Sequence, residues 1–158
     1  MCQKKISYVR AGNDDHLEIA KEMFTEYARS LEFSLGFQDF EQELSDISAH
    51  YGPPHGCILL ALCDRKPAGC VALRKLEEGV CEMKRLYVRP EYRGSGIGKT
   101  LSVKIIDEGK SLGYEKMRLD TLASMKEAIS IYRDLGFYDI EPYCHNPFEK
   151  AVFLEKEL

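Results

Sequence analysis

Between Cys57 and Val88 the chain reads as three consecutive strands whose connections are too short to hold a crossover. CILLALC (Cys57–Cys63) is a continuous apolar run, as in a strand covered on both faces. DRKP turns the chain, Ala68–Lys75 is the next run, EEG turns it again, and Val80–Val88 is the third. Strands joined by such short turns must be antiparallel neighbours, so this stretch is a meander to which the rest of the fold attaches.

The flanking segments supply helices. Lys5–Arg10 alternates weakly and reads as a first strand, and Asn13 or Asp14 can cap the helix after it. Leu17, Ala20, Phe24, Tyr27 and Leu31 recur at spacings of three and four, giving that helix one apolar face until Gly36 breaks it. Phe37–Ile47 reads as a second short helix and YGPPHG (Tyr51–Gly56) as a rigid turn. Beyond the meander, a glycine-rich loop leads into a helix over Gly98–Leu112. Met117–Leu122 follows as a strand and Ser124–Leu135 as a helix stopped by Gly136, and Tyr138–Ile140 and Ala151–Glu155 are closing strands. The order β-α-α-β-β-β-α-β-α-β-β predicts an α/β fold of the α+β kind, a mixed sheet with helices packed on it. No repeat or linker interrupts it, and 158 residues suit one domain spanning 1–158.

Charge and composition exclude several classes. The net charge of −4 argues against nucleic acid as a partner. No apolar run approaches the ~20 residues of a membrane helix, and MCQKKISYVRAG lacks the apolar core of a secretory signal. Of six cysteines, four lie in apolar stretches and none forms a CxxC pair, so reduced buried thiols in a cytoplasmic protein, without a metal, are expected. Monomer and homodimer both remain open.

The chemistry concentrates in YRGSGIGKTL (Tyr92–Leu101). Gly98-Lys99-Thr100 ends like a nucleotide-hydrolase loop, but Arg93 stands where its first glycine belongs. Gly94, Gly96 and Gly98 also miss the dinucleotide spacing. What remains is R-x-x-G-x-G, from Arg93 through Gly96 and Gly98, between a strand and a helix. Amides at a helix N-terminus lack partners and carry the positive end of the dipole, and glycines let a pyrophosphate approach them.

CEMKRLYVRPEYRGSGIGKTL, followed by LDTL and AISIYRDLGF, resembles the GNAT N-acetyltransferase superfamily, in particular its small bacterial-type members. The resemblance is specific from Val80 to Phe137 and extends in element order over nearly the whole chain. It implies a sheet splayed between Val80–Val88 and Met117–Leu122, with acetyl-CoA as co-substrate in the cleft. The pyrophosphate would lie on amides of Arg93, Gly94, Ser95, Gly96, Ile97, Gly98 and Lys99. Backbone groups of the Leu86-Tyr87-Val88 strand would pair with pantetheine, and the Leu86 amide would polarise the thioester carbonyl. Glu82 is the candidate base, since an alkylamine with a pKa of ~10 must lose a proton. The alternative for Glu82 is a surface carboxylate paired with Lys84, on the same strand face. Tyr132 matches the tyrosine that protonates the departing thiolate; its alternative is core packing in the stripe Met125, Ala128, Tyr132, Leu135. Met125 also replaces an asparagine that often contacts the cofactor.

The resemblance therefore implies an N-acetyltransferase acting by direct attack of a primary amine, carried on a small molecule or a peptide. A non-catalytic acyl-CoA-binding or regulatory module is the other reading. Phe33, Phe37, Lys84, Arg85, His145 and Asn146 are candidates for the acceptor site, with Lys84 and Arg85 suited to a substrate carboxylate.

Overall fold

The computed structural model describes residues 5–31, 37–144, 146 and 150–158. The meander is present as β2 (Cys57–Cys63), β3 (Lys66–Glu77) and β4 (Val80–Val88), and β1 (Ile6–Arg10) adds antiparallel to β2. β5 (Lys116–Leu122) lies parallel to β4, and β7 (Ala151–Glu157) and β6 (Tyr138–Asp139) complete the order β1-β2-β3-β4-β5-β7-β6. The one parallel pair is the one whose strands are joined through a helix, α4 (Ile97–Ser111), as a crossover connection requires. Among the described residues no helix is long and apolar enough to cross a membrane.

Helix α1 (Asp14–Ser30) starts where the sequence predicts, with the Asn13 side chain accepting from the His16 amide at 2.8 Å. The second predicted helix is two. Helix α2 (Phe37–Ser45) ends at Asp46, whose φ of −116° and ψ of 38° leave the helical region, and α3 (Ile47–Tyr51) restarts at once. The break aligns Ile47 and Tyr51, four residues apart, so that both are buried against the sheet. Burial of two large side chains outweighs continuity of a short helix, which the local pattern could not reveal. Helix α5 (Lys126–Asp134) begins two residues later than expected, because Ala123 and Ser124 form a turn, closed by the Met125 amide on the Leu122 carbonyl at 2.9 Å, and Met125 is the N-cap.

Each face of the sheet carries its own core. Helices α4 and α5 cover one face, packing Ile97, Leu101, Ile105 and Tyr132 on Leu73, Met83, Met117 and Leu119. Helices α1 and α3 cover the other, where Ala20, Phe24 and Tyr51 meet Leu60, Cys70 and Ala72. Cys57, Cys63, Cys70 and Cys81 are buried free thiols within these cores.

Strand β4 changes face midway. Lys84 lies opposite Ala72 but Tyr87 opposite Cys70, so β4 holds one extra residue between them. Cys81 and Met83 face α4, and so do Leu86 and Val88, while Tyr87 faces α1. The bulge is at Arg85, whose φ of 61° is left-handed and strained for a side chain with a Cβ. Pairing of β4 with β5 stops at Glu82–Arg118, so the two strands diverge from there on.

Arg85 turns this strain into an anchor. Its Nε and Nη2 donate to the two oxygens of Glu43 on α2 at 3.1 and 2.9 Å, and its guanidinium lies over the Phe40 ring. Both side chains are nearly enclosed, 13% and 10% exposed. Glu43→Ala leaves a buried cation without its counter-charge, so it should destabilise the protein by about 3 kcal/mol or more in urea unfolding. A loss below about 1 kcal/mol would mean that the pair does not hold the bulge.

Candidate active site

Where β4 and β5 separate, the sheet opens into a cleft of about 1170 Å³. Its walls are Leu86, Tyr87 and Val88 from β4, Tyr27, Ser30 and Leu31 from α1, and Leu122, Ser124, Met125, Ala128 and Ile131 from the β5–α5 side. Its floor is the glycine loop, contributing Tyr92, Arg93, Gly94, Gly96, Ile97, Gly98 and Lys99. Nearly every residue expected to hold the cofactor is thus gathered in one place. Ser95 is the exception, since it is not in the lining and its hydroxyl donates to the Tyr92 carbonyl at 2.6 Å. The Ile97 side chain is buried in the core, so only its backbone is available to a ligand.

The loop has the properties of an anion cradle. Gly94 and Gly96 both sit at φ +84°, and a Cβ at either would meet nothing within 4 Å. They are therefore required by backbone conformation, and the space above them is open. Gly96 is the N-cap of α4 and offers no side chain to its first amides. Arg93 Nε donates to the Val88 carbonyl at 3.0 Å, which fixes the turn leaving β4. Met125, where an asparagine was the expected contact, lines the cleft and accepts from the Thr121 hydroxyl through sulfur at 3.6 Å. Unpaired strand edge, open glycine loop and uncapped helix together fit pantetheine and pyrophosphate.

Glu82 stands at the last paired position of β4 and β5, on the face covered by α1 and α3. It is only 1% exposed and so is not the surface carboxylate that pairing with Lys84 would make it. Arg74, its direct cross-strand neighbour, donates Nε–H to Oε1 at 2.7 Å, whereas Lys84 Nζ is 3.9 Å away. The Tyr143 hydroxyl donates to Oε2 at 2.6 Å. Burial, then the charge and hydrogen bond of Glu82, push the Tyr143 phenol far up, so it stays a donor. Its ring packs edge-on against Phe153 and beneath the Arg118 guanidinium.

Tyr132 lies on α5 beside Ile131, which lines the cleft, while its own side chain belongs to the core. It is 6% exposed and meets Phe137 edge-on, so the core-packing role is real. Burial first, and then the charges of Tyr27 and Asp120, raise its phenol well above the ordinary value. It is therefore protonated throughout the physiological range, and it lies close enough to both groups to sense them.

Several neighbours were not singled out from sequence. Asp120 on β5 accepts from Asn146 Nδ2 at 3.0 Å and contacts the Cys144 thiol at 3.8 Å. One oxygen each of Glu82 and Asp120 and the Cys144 sulfur lie within 4.8 Å of one another. The alternation of β5, with Met117, Leu119 and Thr121 buried, is the signal that turns Asp120 to the face of Glu82. Tyr143 and Cys144 lie in an irregular segment with no such signal. Burial and the carboxylates beside it push the Cys144 thiol up to about 11, which disfavours a nucleophilic thiolate. Among the proposed acceptor residues, Asn146 and Lys84 are at the site, while the Arg85 fork is occupied by Glu43. Phe33 and His145, and the side chain of Phe37, lie outside the described residues.

The profile of the Acetyltransferase (GNAT) family matches residues 17–137. The chain belongs to the GNAT acetyltransferase family. It is 41% identical over 155 residues to an uncharacterised N-acetyltransferase of Schizosaccharomyces pombe, covering 97% of this chain and 94% of that one. The fold superposes on a GNAT-family acetyltransferase of Staphylococcus aureus with a TM-score of 0.82 at 21% identity, over 97% of this chain and 99% of that one. It also superposes on the PaiA N-acetyltransferase of Thermoplasma acidophilum, solved in complex with coenzyme A, with a TM-score of 0.73 at 21% identity, over 98% and 99%. As a GNAT member the chain is an acetyl-CoA-dependent N-acetyltransferase, and its cleft fits that co-substrate. Acetyl-CoA should raise the melting temperature, because a ligand of the native state stabilises it by mass action. ATP should not; equal stabilisation by ATP, or none by acetyl-CoA, would contradict this assignment of the cleft.

Proposed function

We propose that the protein transfers acetyl from acetyl-CoA to a primary amine in a ternary complex, with Glu82 receiving the proton of the amine and Tyr132 supplying one to the departing thiolate. The observation that carries this reading is the placement of the two groups. Glu82 stands at the last paired position of β4 and β5, on the α1 side, and the Tyr132 phenol, next along α5 to the cleft-lining Ile131, senses Tyr27 in the cleft wall and Asp120 beside Glu82. An amine and a thioester entering from opposite faces would meet between them.

Acetyl-CoA supplies an activated acetyl group, and its transfer makes a C–N bond as the C–S bond breaks. The chain's residues then have three tasks. The amide of Leu86, beyond the bulge, is the donor proposed for the carbonyl oxygen, a role worth ~10²–10³ in rate where such donors have been removed. Glu82 has about four acceptor positions, of which Arg74 and Tyr143 use two. A proton reaches it through a water or by relay across the Tyr143 hydroxyl, which gives its own proton to Oε2 as it accepts another. The Tyr132 phenol, held protonated, donates as negative charge develops on sulfur in the same low-dielectric pocket. Two facts favour direct attack over a covalent enzyme intermediate: the Cys144 thiol is pushed up, and the other described cysteines are buried. This preparation for proton transfer favours an enzyme over a binding module.

Glu82→Gln should lower kcat by ~10²-fold or more while acetyl-CoA affinity, measured by calorimetry, is kept. Turnover at the wild-type rate would leave Glu82 a structural partner of Arg74. Tyr132→Phe removes only a hydroxyl, so the protein should stay folded with kcat reduced. That loss should shrink with an acyl donor whose thiol is more acidic, since a better leaving group needs less proton assistance. A fully active Tyr132→Phe protein would reduce the residue to its packing role.

A further inference from the structure

Asp120 differs from every other carboxylate of comparable burial. Among the described side chains, Glu26, Glu43, Glu82, Glu108 and Glu155 are the other acidic groups that are not exposed. Each is matched to an arginine, at distances between 2.7 and 2.9 Å. Asp120 is half-buried, yet no lysine or arginine nitrogen among the described residues lies within the 4.0 Å of an ion pair. Its partners are neutral, the Asn146 amide and the Cys144 thiol, and both use the same oxygen, Oδ2. Holding Cys144 and Asn146 therefore occupies one half of the carboxylate. The other oxygen, Oδ1, accepts no hydrogen bond from a described residue.

Oδ1 is not among the buried side-chain oxygens that lack a partner, so it is open to solvent and to an incoming donor. Those five other carboxylates are each met by an arginine, so a cation from outside is the partner that Asp120 lacks. Position identifies it. Asp120 lies within 4.8 Å of the Glu82 carboxylate, in the opening where an amine must stand to reach the thioester. Its charge is also felt by Tyr27, Tyr132 and Tyr143, so it faces the reacting space from β5 as they do from their own elements. Glu82 is poorly suited to capture a cation itself, because Arg74 already neutralises it.

We propose that Asp120 binds the acceptor as its ammonium form, through Oδ1, and holds that nitrogen beside Glu82 for deprotonation and attack. The proposal rests on the acetyltransferase reading above and adds to it the charge state in which the acceptor is recognised. The acceptor class is a cationic primary amine, selected against neutral isosteres by a carboxylate that no protein cation balances. In the reaction, the ammonium gives one proton by way of Glu82 to solvent, the free amine forms the C–N bond as the C–S bond breaks, Glu82 takes the second proton from that nitrogen, and Tyr132 gives one to the departing thiolate.

The test uses two small probes of nearly equal shape, n-propylammonium and n-propanol, titrated against the CoA-bound protein by NMR. The Asp120 side-chain carboxyl carbon and the Asn146 side-chain amide report the site. The ammonium should perturb both in a saturable manner and the alcohol should not. In Asp120→Asn, which keeps size and a hydrogen-bonding partner for Asn146, ammonium affinity should fall about ten- to a hundredfold, the worth of one charge-assisted hydrogen bond. CoA binding, read at the Gly96 and Gly98 amides, should be unchanged. Equal response of the wild type to alcohol and ammonium, no response to either, or undiminished ammonium binding in Asp120→Asn would overturn the proposal. The wild-type comparison decides even if the variant folds poorly. A failure of CoA to shift the loop amides would instead strike the acetyl-CoA reading, and the Asp120 titration without CoA would still be read on its own terms.

Discussion

The bidentate pair between Arg85 and Glu43 is the interaction on which the working part of this fold depends. A seven-stranded sheet with both faces covered has no reason to open in the middle, because unpaired strand edges lose hydrogen bonds that water cannot replace there. One inserted residue in β4 overrides that preference. It bends the strand, reverses which side chains face α4, and leaves Leu86 and Val88 on the cofactor side. The inserted residue takes a left-handed conformation that costs ~1–2 kcal/mol for any residue with a Cβ. An arginine there reaches a buried glutamate on α2 and an aromatic ring, contacts that a glycine could not make. The strain and its compensation are thus in the same side chain, and α2 is tied to the strand that forms the cleft.

The same logic of paired charges organises the acceptor end. Arg74 and Glu82 face each other across β3 and β4, Arg118 reaches Glu155 across β5 and β7, and Arg89 clamps Glu26 of α1. Buried pairs of this kind contribute little net stability, since desolvation offsets most of the attraction. Their consequence is geometric: each fixes a carboxylate and leaves few ways for it to move. Around the opening this places Glu82 with one face held by Arg74 and the other touching Tyr143. A carboxylate so fixed can take up a proton without first reorganising its surroundings.

Much of this was legible in the sequence, and the unreadable parts share a cause. The meander, the glycine loop and the apolar stripe of α1 are local patterns of period two or three to four, and they appear where expected. The loop backbone was accessible through a contiguous motif, and its place on the floor of one cleft follows from the fold. The splitting of α2 from α3 was not readable, because Ile47 and Tyr51 are drawn to a core made by other elements. Nor was the register that sets Arg74 opposite Glu82, eight residues away, in place of Lys84, two residues away. Arg85 looked like an available cation because its glutamate is 42 positions distant. Charge in the sequence gives an inventory; which charges remain unbalanced is known only after pairing.

That distinction also explains how one opening can serve two reactants of opposite character. On the α4 and α5 side, the cleft offers amides and the positive end of a helix, suited to phosphate. On the α1 side, the same opening offers Glu82, Asp120 and tyrosine hydroxyls that burial keeps protonated. The two environments are separated by the thickness of the sheet, and the bulge joins them by parting β4 from β5. On the reading proposed above, an anionic donor and a cationic acceptor would come to the opening from opposite sides. The parting of β4 from β5 and the turn of Leu86 and Val88 toward α4 both go with a single register shift in β4.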